Sequence, residues 1–504
     1  MMPRMRWAAA QAIWLATLLL SLSAFVFGPW LLSMGLPAMA AAGGGAGVVV
    51  VAAVAMMRRG RLDLPAWAER PGTWMAILAG GAVLCLAWGA LMPVTLISDP
   101  RDYYDTAMQL LAEGRYYSTV NVAGPDGQPT GALVEMLAWR PPGLPFLLAG
   151  WFGVFGAGAW AIIGFNLVVY ALSALVLGVV ASRLIGPSSV ASVLLAFAVW
   201  PKHIGYTGVP LTEGLSLLLL TLGVLLFDLA LAGSRRSLAC AGLTYGMAAL
   251  VRPSLLLLPA LWAGMAWMAA GSRWRQALTV AAAALIGLAV IAPWTVRNMS
   301  ALGRPVLIST NGGDVLYRAN NPRATGNWSP AGERDLNAFI HDEVVWNATG
   351  GAWAWEWIRS NPAGFAKLAI RKAGFLWGWE EEGILFTMHH PEVAATNRVF
   401  AISASVLMNI WWFALLCAVA ASLVHQRMAL TRSPLALGLM MSVLLLTVVH
   451  MLYESHARYH LPFAGALIVL ACTGPFLAAP ARTARADAAF GTTGRRRADG
   501  SEAI

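Results

Sequence analysis

The chain has 504 residues, 59% of them hydrophobic and 12% charged. Soluble globular proteins carry roughly 25% charged residues, so a water-soluble fold is excluded and a polytopic membrane protein is indicated. The formal charge of +10 would suggest nucleic acid in a soluble chain. Here it is spread over short loops between apolar runs, and no nucleic-acid partner is expected.

The apolar runs are continuous and do not alternate with period two, so they predict helices and not a membrane barrel. An all-α fold follows, with about twelve spans near residues 10–32, 36–56, 73–96, 157–182, 188–201, 212–232, 238–251, 254–270, 276–296, 398–424, 434–453 and 461–479. Crossing the hydrocarbon takes roughly 20 apolar residues, which makes 188–201 and 238–251 short for full crossings. Residues 1–28 resemble a signal sequence, with Arg4 and Arg6 before an apolar core. A second apolar run follows at once and favours an uncleaved first span. The four cysteines lie within apolar runs and read as small buried hydrophobes.

Cations orient the spans. Arg58, Arg59, Arg61, Arg183, Arg235, Arg236, Arg273, Arg275, Arg427 and Arg432 fall on one side, with the N-terminal arginines and those of the tail. By the positive-inside bias that side is cytoplasmic, and so are both termini. Eighteen of the twenty-four acidic residues and seven of the eight histidines fall on or near the opposite side. Chemistry is therefore expected extracytoplasmically. Only three lysines accompany thirty-one arginines, a usage that, with the many Ala and Gly residues, suggests a GC-rich bacterial genome and hence an inner membrane. Residues 1–480 read as one transmembrane unit with two large external segments, 97–156 and 297–397. Residues 481–504 read as a disordered cytoplasmic tail.

In the first external segment, Asp99, Asp102 and Asp105 follow directly on a span that carries no acid. Asp99 suits an N-cap and Pro100 a first helical turn. Tyr103, Ala107 and Leu110 or Leu111 make an apolar stripe, closed by Gly114. This predicts an amphipathic helix on the membrane surface. Capping and catalysis are compatible roles for Asp99. Further on, Trp139-Arg140-Pro141-Pro142-Gly143-Leu144-Pro145 joins a cation to a proline-stiffened turn. Arg140 either snorkels to headgroups or holds a phosphate.

In the second external segment, Trp346, Trp353, Trp355, Trp357, Trp377 and Trp379 read as an aromatic belt at headgroup level. Lys367, Arg371 and Lys372, on a predicted helix from 362 to 379, are placed to meet anionic lipid. Glu380-Glu381-Glu382 reads as a solvated acidic turn. Asn311-Gly312-Gly313 and Asn320-Asn321-Pro322 read as tight turns.

An acid four residues before a tyrosine at the end of an early span, followed by Arg-Pro-Pro-Gly-x-Pro, resembles the GT-C glycosyltransferases. Bacterial relatives of protein O-mannosyltransferases and lipid A aminoarabinose transferases are the most similar group. Pro210-Leu211-Thr212-Glu213, Leu250-Val251-Arg252-Pro253, Pro293-Trp294-Thr295-Val296-Arg297-Asn298 and His456-Ala457-Arg458-Tyr459-His460-Leu461-Pro462 extend the likeness over about residues 95–465. Two departures stand out: Asp99 is followed by Pro100 where many relatives carry an Asp-Glu pair, and an extra hairpin precedes residue 73.

The resemblance implies transfer of a sugar from a polyprenyl-phosphate donor to an extracytoplasmic lipid, polysaccharide or protein acceptor. It implies Asp99 as base, with Asp102 as competitor and Glu213 as second acid. It also implies a divalent metal, if one is used, shared by Asp99 and Glu213. Arg140, Tyr103, Lys202, His203, Arg252, Arg297, His456 and Arg458 become candidates for donor phosphate or substrate. For each of these the plain alternative is packing or interfacial anchoring. The rival function is a transporter or flippase of lipid-linked sugars, which would place paired ionisable groups near midplane.

Overall fold

The computed structural model describes residues 2–32, 66–123, 129–327, 334–378, 380, 382–388 and 398–474. The predicted span 36–56 and the arginine-rich tail lie outside the described residues.

Helix α1 (Met2–Leu32) is followed by α2 (Pro71–Leu91) and the surface helix α3 (Ser98–Glu113). Strands β1 (Ser118–Ala123) and β2 (Pro129–Met136) then pair antiparallel, with Ser118 opposite Met136 and Val120 opposite Val134. Next come α4 (Gly143–Phe155), α5 (Ala159–Leu184), α6 (Val190–Ala198), the short α7 (Pro201–Gly205), α8 (Thr212–Leu231), α9 (Arg235–Val251), α10 (Leu258–Met268) and α11 (Arg273–Leu302). The second external segment supplies α12 (Gly312–Ala319), α13 (Glu343–Ser360) and α14 (Pro362–Trp377). The chain closes with α15 (Arg398–His425), α16 (Pro434–Leu452) and α17 (Leu461–Ala471).

The protein is a polytopic all-α membrane protein. Among the described residues seven helices are long and apolar enough to cross a membrane: those in α1, α2, α5, α8, α11, α15 and α16. The expected spans at 188–201, 254–270 and 461–479 form shorter apolar helices, below the usual crossing length. Helix α17 is apolar all round, with Phe463, Ala464, Leu467, Ile468, Val469 and Leu470 fully buried. A helix without a polar face belongs inside a bundle, and α17 packs against α8, α15 and α16.

The bundle has two chemically distinct ends. At one, Arg6 donates to the Ala269 carbonyl (3.1 Å), Gln11 to Thr431 (3.3 Å), and Arg183 pairs with Asp228 (2.8 Å). These are loops that the charge bias grouped together. Glu213 and Asp228 lie in the first and last turns of α8, about 22 Å apart at 1.5 Å per residue. The acids around Glu213 are thus at the opposite end.

Over that end sits a second apolar cluster, built from Met136, Trp139, Leu316, Tyr317, Leu336, Ile340, Trp346 and Ala354. Trp139 stacks on Trp346 with ring centroids 4.9 Å apart. Trp346 here, and Trp377 fully buried in the main bundle core, are core residues and not members of a headgroup belt. Glu343 joins the two external segments: its carboxylate accepts from the backbone N–H groups of Leu137 (2.7 Å) and Ala138 (3.1 Å) and from the Thr310 hydroxyl (2.7 Å). The predicted turn at Asn311-Gly312-Gly313 is instead the start of α12, because Asn347 accepts from the Gly313 N–H at 2.6 Å. Lys372 is likewise not a lipid-facing cation. It is fully buried and donates to Asn320 and to the Leu452 carbonyl, each at 2.9 Å.

Candidate active site

Helix α3 ends as expected, at Gly114 with φ +66 and its N–H bonded to the Leu110 carbonyl. Its start differs. The helix opens at Ser98, Ile97 precedes it in extended backbone, and Asp99 makes no capping hydrogen bond. Ser98 has φ +53, a left-handed conformation that costs a non-glycine residue roughly 1–2 kcal/mol. Asp99 is drawn instead to two guanidinium groups. One carboxylate oxygen accepts from Arg140 at 2.7 Å and the other from Arg458 at 2.5 Å. Charge-assisted bonds of this kind are roughly twice as strong as neutral ones, which explains why they win over a cap.

Arg140 also binds Asp102, through Nε at 3.1 Å and Nη2 at 2.5 Å. Its guanidinium lies over the rings of Tyr103 (5.6 Å) and Trp139 (5.8 Å). The proline turn holds it there because α4 begins against the end of α9. A Cβ on Gly143 would stand 2.8 Å from the Val251 nitrogen, so only glycine permits this approach. The same contact brings the turn beside Arg252, which follows α9 directly.

Glu213 lies in the first turn of α8 and is almost fully buried. It faces Arg252 at 3.3 Å and Arg458 at 3.8 Å. Arg252 and Arg458 each sit 5.0 Å from the centre of the Tyr459 ring. The Tyr459 hydroxyl accepts from Arg458 (3.1 Å) and donates to Glu454 (2.6 Å). Arg458 therefore bridges Asp99 and Glu213, while its buried Nε has no hydrogen-bond partner.

Electrostatics follow from these pairings. Burial pushes the Asp99 carboxyl up, but Arg140 and Arg458 outweigh it and hold the group well below the usual carboxylate range. Burial dominates at Asp102 and leaves it above its ordinary value despite Arg140. Tyr103 is pushed up to about 12, chiefly by burial, so it stays a neutral phenol.

Asp99, Asp102, Tyr103, Arg140, Glu213, Arg252 and Arg458 thus form one cluster. Three other candidates lie outside this cluster. Arg297 does not join the anion site: it donates to the carbonyls of Leu137 (2.6 Å) and Tyr116 (2.7 Å) and stacks over Trp294 (4.8 Å). Lys202 is no phosphate ligand, because it is fully buried with its donors directed to Glu380 (2.9 Å), the Ala457 carbonyl (2.8 Å) and His460 (3.1 Å). His203 is enclosed by Tyr170, Phe197 and Trp200, with ring centroids 5.5, 4.7 and 5.9 Å away. His456 lies at the rim, 2.8 Å from Glu382.

Glu380 and Glu382 are not solvated. Glu380 is fully buried, bound by Lys202 and His460. Burial raises it, but His460 and Lys202 more than offset this and keep it below its ordinary value. Glu382 accepts from the Arg458 backbone N–H at 2.5 Å as well as facing His456. Against burial, those partners hold Glu382 down at about 2. Together the two glutamates grip both ends of the turn that carries Arg458. They and Tyr459 are missing from the sequence-derived set. Their signals were in hand: an acidic triplet beside a tryptophan-rich helix, and a tyrosine inside the His456–Pro462 run.

The donor set does not fit a divalent metal held between Asp99 and Glu213. Arg458 lies between the two carboxylates, and among the described residues no three His, Cys, Asp or Glu side chains form a metal-binding group.

No protein-family model matches the chain, and no curated protein matches it in sequence. In structure it is similar to the archaeal oligosaccharyltransferase AglB from Archaeoglobus fulgidus in complex with an inhibitory peptide and a dolichol-phosphate. The identity is 10%, the TM-score 0.46, and the match covers 79% of this chain and 50% of that one. The chain thus spans about half the length of the AglB chain. It is also similar to ArnT from Cupriavidus metallidurans bound to undecaprenyl phosphate, at 14% identity and TM-score 0.40, over 80% of this chain and 77% of that one.

Proposed function

We propose that the chain is a glycosyltransferase that takes a sugar from a polyprenyl-phosphate carrier and passes it to a hydroxyl of a lipid, polysaccharide or protein. In this reading the site faces the extracytoplasmic side of a bacterial inner membrane, with both termini cytoplasmic. The observation that carries it is Arg458, which holds Asp99 through Nη2 and faces the buried Glu213 at 3.8 Å through Nε, with that buried Nε making no hydrogen bond. Such a donor has no hydrogen bond of its own to give up to a phosphate oxygen.

The chemistry balances without a second acid. The acceptor oxygen forms a bond to the anomeric carbon as the bond from that carbon to the phosphate oxygen breaks. The electron pair leaves with the phosphate, and the acceptor proton passes to Asp99. A phosphate leaving group needs little protonation, so the usual acid–base pair of glycoside hydrolysis is not required. A single displacement of this kind inverts the anomeric centre. Arg458, Arg252 and Arg140 stabilise the departing phosphate.

Asp99 bound to two arginines is a poor base. Carrier phosphate drawing Arg458 toward itself would free one Asp99 oxygen and raise its basicity, coupling proton removal to donor binding. Asp102 supports a second reading. It is held by one arginine, and its carboxyl is raised by burial, nearer to the range useful for a base.

The test is transfer from undecaprenyl-phosphate glycosides in proteoliposomes, comparing wild type with Asp99→Asn and Asp102→Asn. Loss of transfer in Asp99→Asn alone supports the first reading, and loss in Asp102→Asn alone the second. Carrier movement across the bilayer without cleavage of the glycosidic bond would overturn both in favour of a flippase.

A further inference from the structure

Beside Glu213 the bundle contains a narrow cleft between α5, α7 and α8. Asn166, His203, Tyr206, Thr207 and Glu213 supply its polar lining, and Val169 and Leu461 are among its apolar walls. It has room for a group the size of one water or one hydroxyl. It holds part of a ligand, not a whole one.

Two residues of its lining each carry a polar atom that the protein leaves unaccounted for. His203 Nδ1 and the Tyr206 hydroxyl are buried with no hydrogen-bond partner, and both residues are more than nine-tenths buried. Native proteins pair the large majority of such atoms, so each exception asks for a reason. Disorder of the loop is not that reason. Asn166 fixes residues 206–209 by donating to the carbonyls of Thr207 (2.9 Å) and Val209 (3.0 Å).

The lining also dictates the chemistry of the missing partner. Among the described residues no lysine or arginine lines the cleft, so an anion is unmatched there, and Glu213, whose carboxylate already faces Arg252 and Arg458, leaves a buried cation without a free counter-charge. Burial alone pushes His203 down to about 4. Its imidazole is then neutral and offers one donor and one acceptor. A hydroxyl answers both. Glu213 lines the cleft and also faces Arg252 and Arg458. A sugar attached to a phosphate held by those arginines lies one bond from it, within reach of this wall.

We propose that the cleft is a subsite for one hydroxyl of the donor sugar, with His203 and Tyr206 as its hydrogen-bond partners. The subsite rests on the polyprenyl-phosphate reading above and deepens it. It makes the glycosyl group, and not only the lipid phosphate, a recognised part of the donor.

The experiment measures binding of bare undecaprenyl phosphate, and of a panel of its hexose and pentose glycosides, to the full chain in nanodiscs. Tyr206→Phe removes only the hydroxyl and keeps the ring, and His203→Phe removes the imidazole. Each is expected to weaken the preferred glycoside by up to about tenfold, the size of one or two net hydrogen bonds, with bare carrier unaffected. His203→Gln should restore part of the loss. Glycoside binding unchanged in both variants would mean that the cleft holds a structural water only, and overturns the subsite. Equal weakening of bare carrier and glycosides would assign the two residues to structure and also overturns it, as would an effect confined to the acceptor KM. Failure of the wild type to bind bare carrier would instead refute the donor reading, and the subsite with it.

Discussion

Two charged networks lie within a few residues of each other and behave as opposites. In the first, Asp99 and Arg458 keep 21% and 15% of their side-chain exposure. In the second, Lys202 and Glu380 keep none. The first matches its three acids with three arginines but shares them: Arg140 serves two carboxylates, and Arg458 serves Asp99 while facing Glu213 at longer range. The second is closed: Lys202 and His460 meet Glu380, each other and backbone carbonyls. A shared, half-open network can exchange partners with a ligand. A sealed one can only hold its shape, and here it holds the turn that carries Arg458.

The comparison breaks first at Asp99. Asp99→Asn is expected to lower transfer about 10²–10⁴-fold, as loss of a positioned general base does, with thermal unfolding in detergent little changed. A variant that transferred normally would leave the open network without a chemical role. Glu380→Gln should do the reverse. Removing one partner of a buried ion pair costs about 3–5 kcal/mol, read as a lower unfolding temperature, while the rate per folded molecule falls far less. A Glu380→Gln protein of native stability would contradict the sealed network.

The arginines sharpen the contrast. Arg458→Lys removes the fork that reaches Asp99 and Glu213, and is expected to weaken carrier binding roughly 10–100-fold, the scale of one hydrogen bond to a charged group. Arg297→Lys disturbs contacts to two carbonyls and to the Trp294 ring and should lower stability by about 1–2 kcal/mol without changing carrier affinity. Equal effects on carrier binding would erase the distinction.

The effect of pH is smaller. Glu382 is held at about 2 in the folded chain, against an ordinary value of 4.5. Its contribution to stability is therefore complete above about pH 4.5 and is lost as the pH falls from there toward 2. Unfolding temperatures of wild type and Glu382→Gln should converge over that window, and a constant gap would refute the pairing. The smallest effect expected is none: a chelator should leave transfer unchanged, since arginines meet the charges that a metal would. Activity restored only by a divalent cation would overturn this.

Much of the open network was legible because charge is conspicuous at the end of an apolar run. Asp99, Glu213, Arg252 and Arg458 each stand beside or at the start of a predicted span, Arg140 stands at a proline-stiffened turn, and a family resemblance put them on one list. What the residues did not disclose is which charges meet. Lys202 and Arg252 look alike in sequence, both flanked by apolar segments, yet one is sealed and the other faces Glu213. Glu380 and Glu382 read as solvated because three successive acids usually are. Their partners lie 178 positions before and 76 positions after them in the chain, and local pattern carries no trace of that. The hairpin at β1 and β2 was missed for another reason: short strands between helices are outweighed by the helical periodicity around them.

One bond described above has a consequence for the order of biosynthesis. Asp99 and Arg458 are separated by 359 positions, so nearly the whole chain must be made before they can meet. Until then Asp99 has Arg140 alone, and Glu213 has Arg252 alone. The two half-sites are joined only when the turn before the last described helix arrives. A nascent or truncated chain ending short of residue 458 would carry every acid of the site and still lack the cation that unites them, so competence is acquired last.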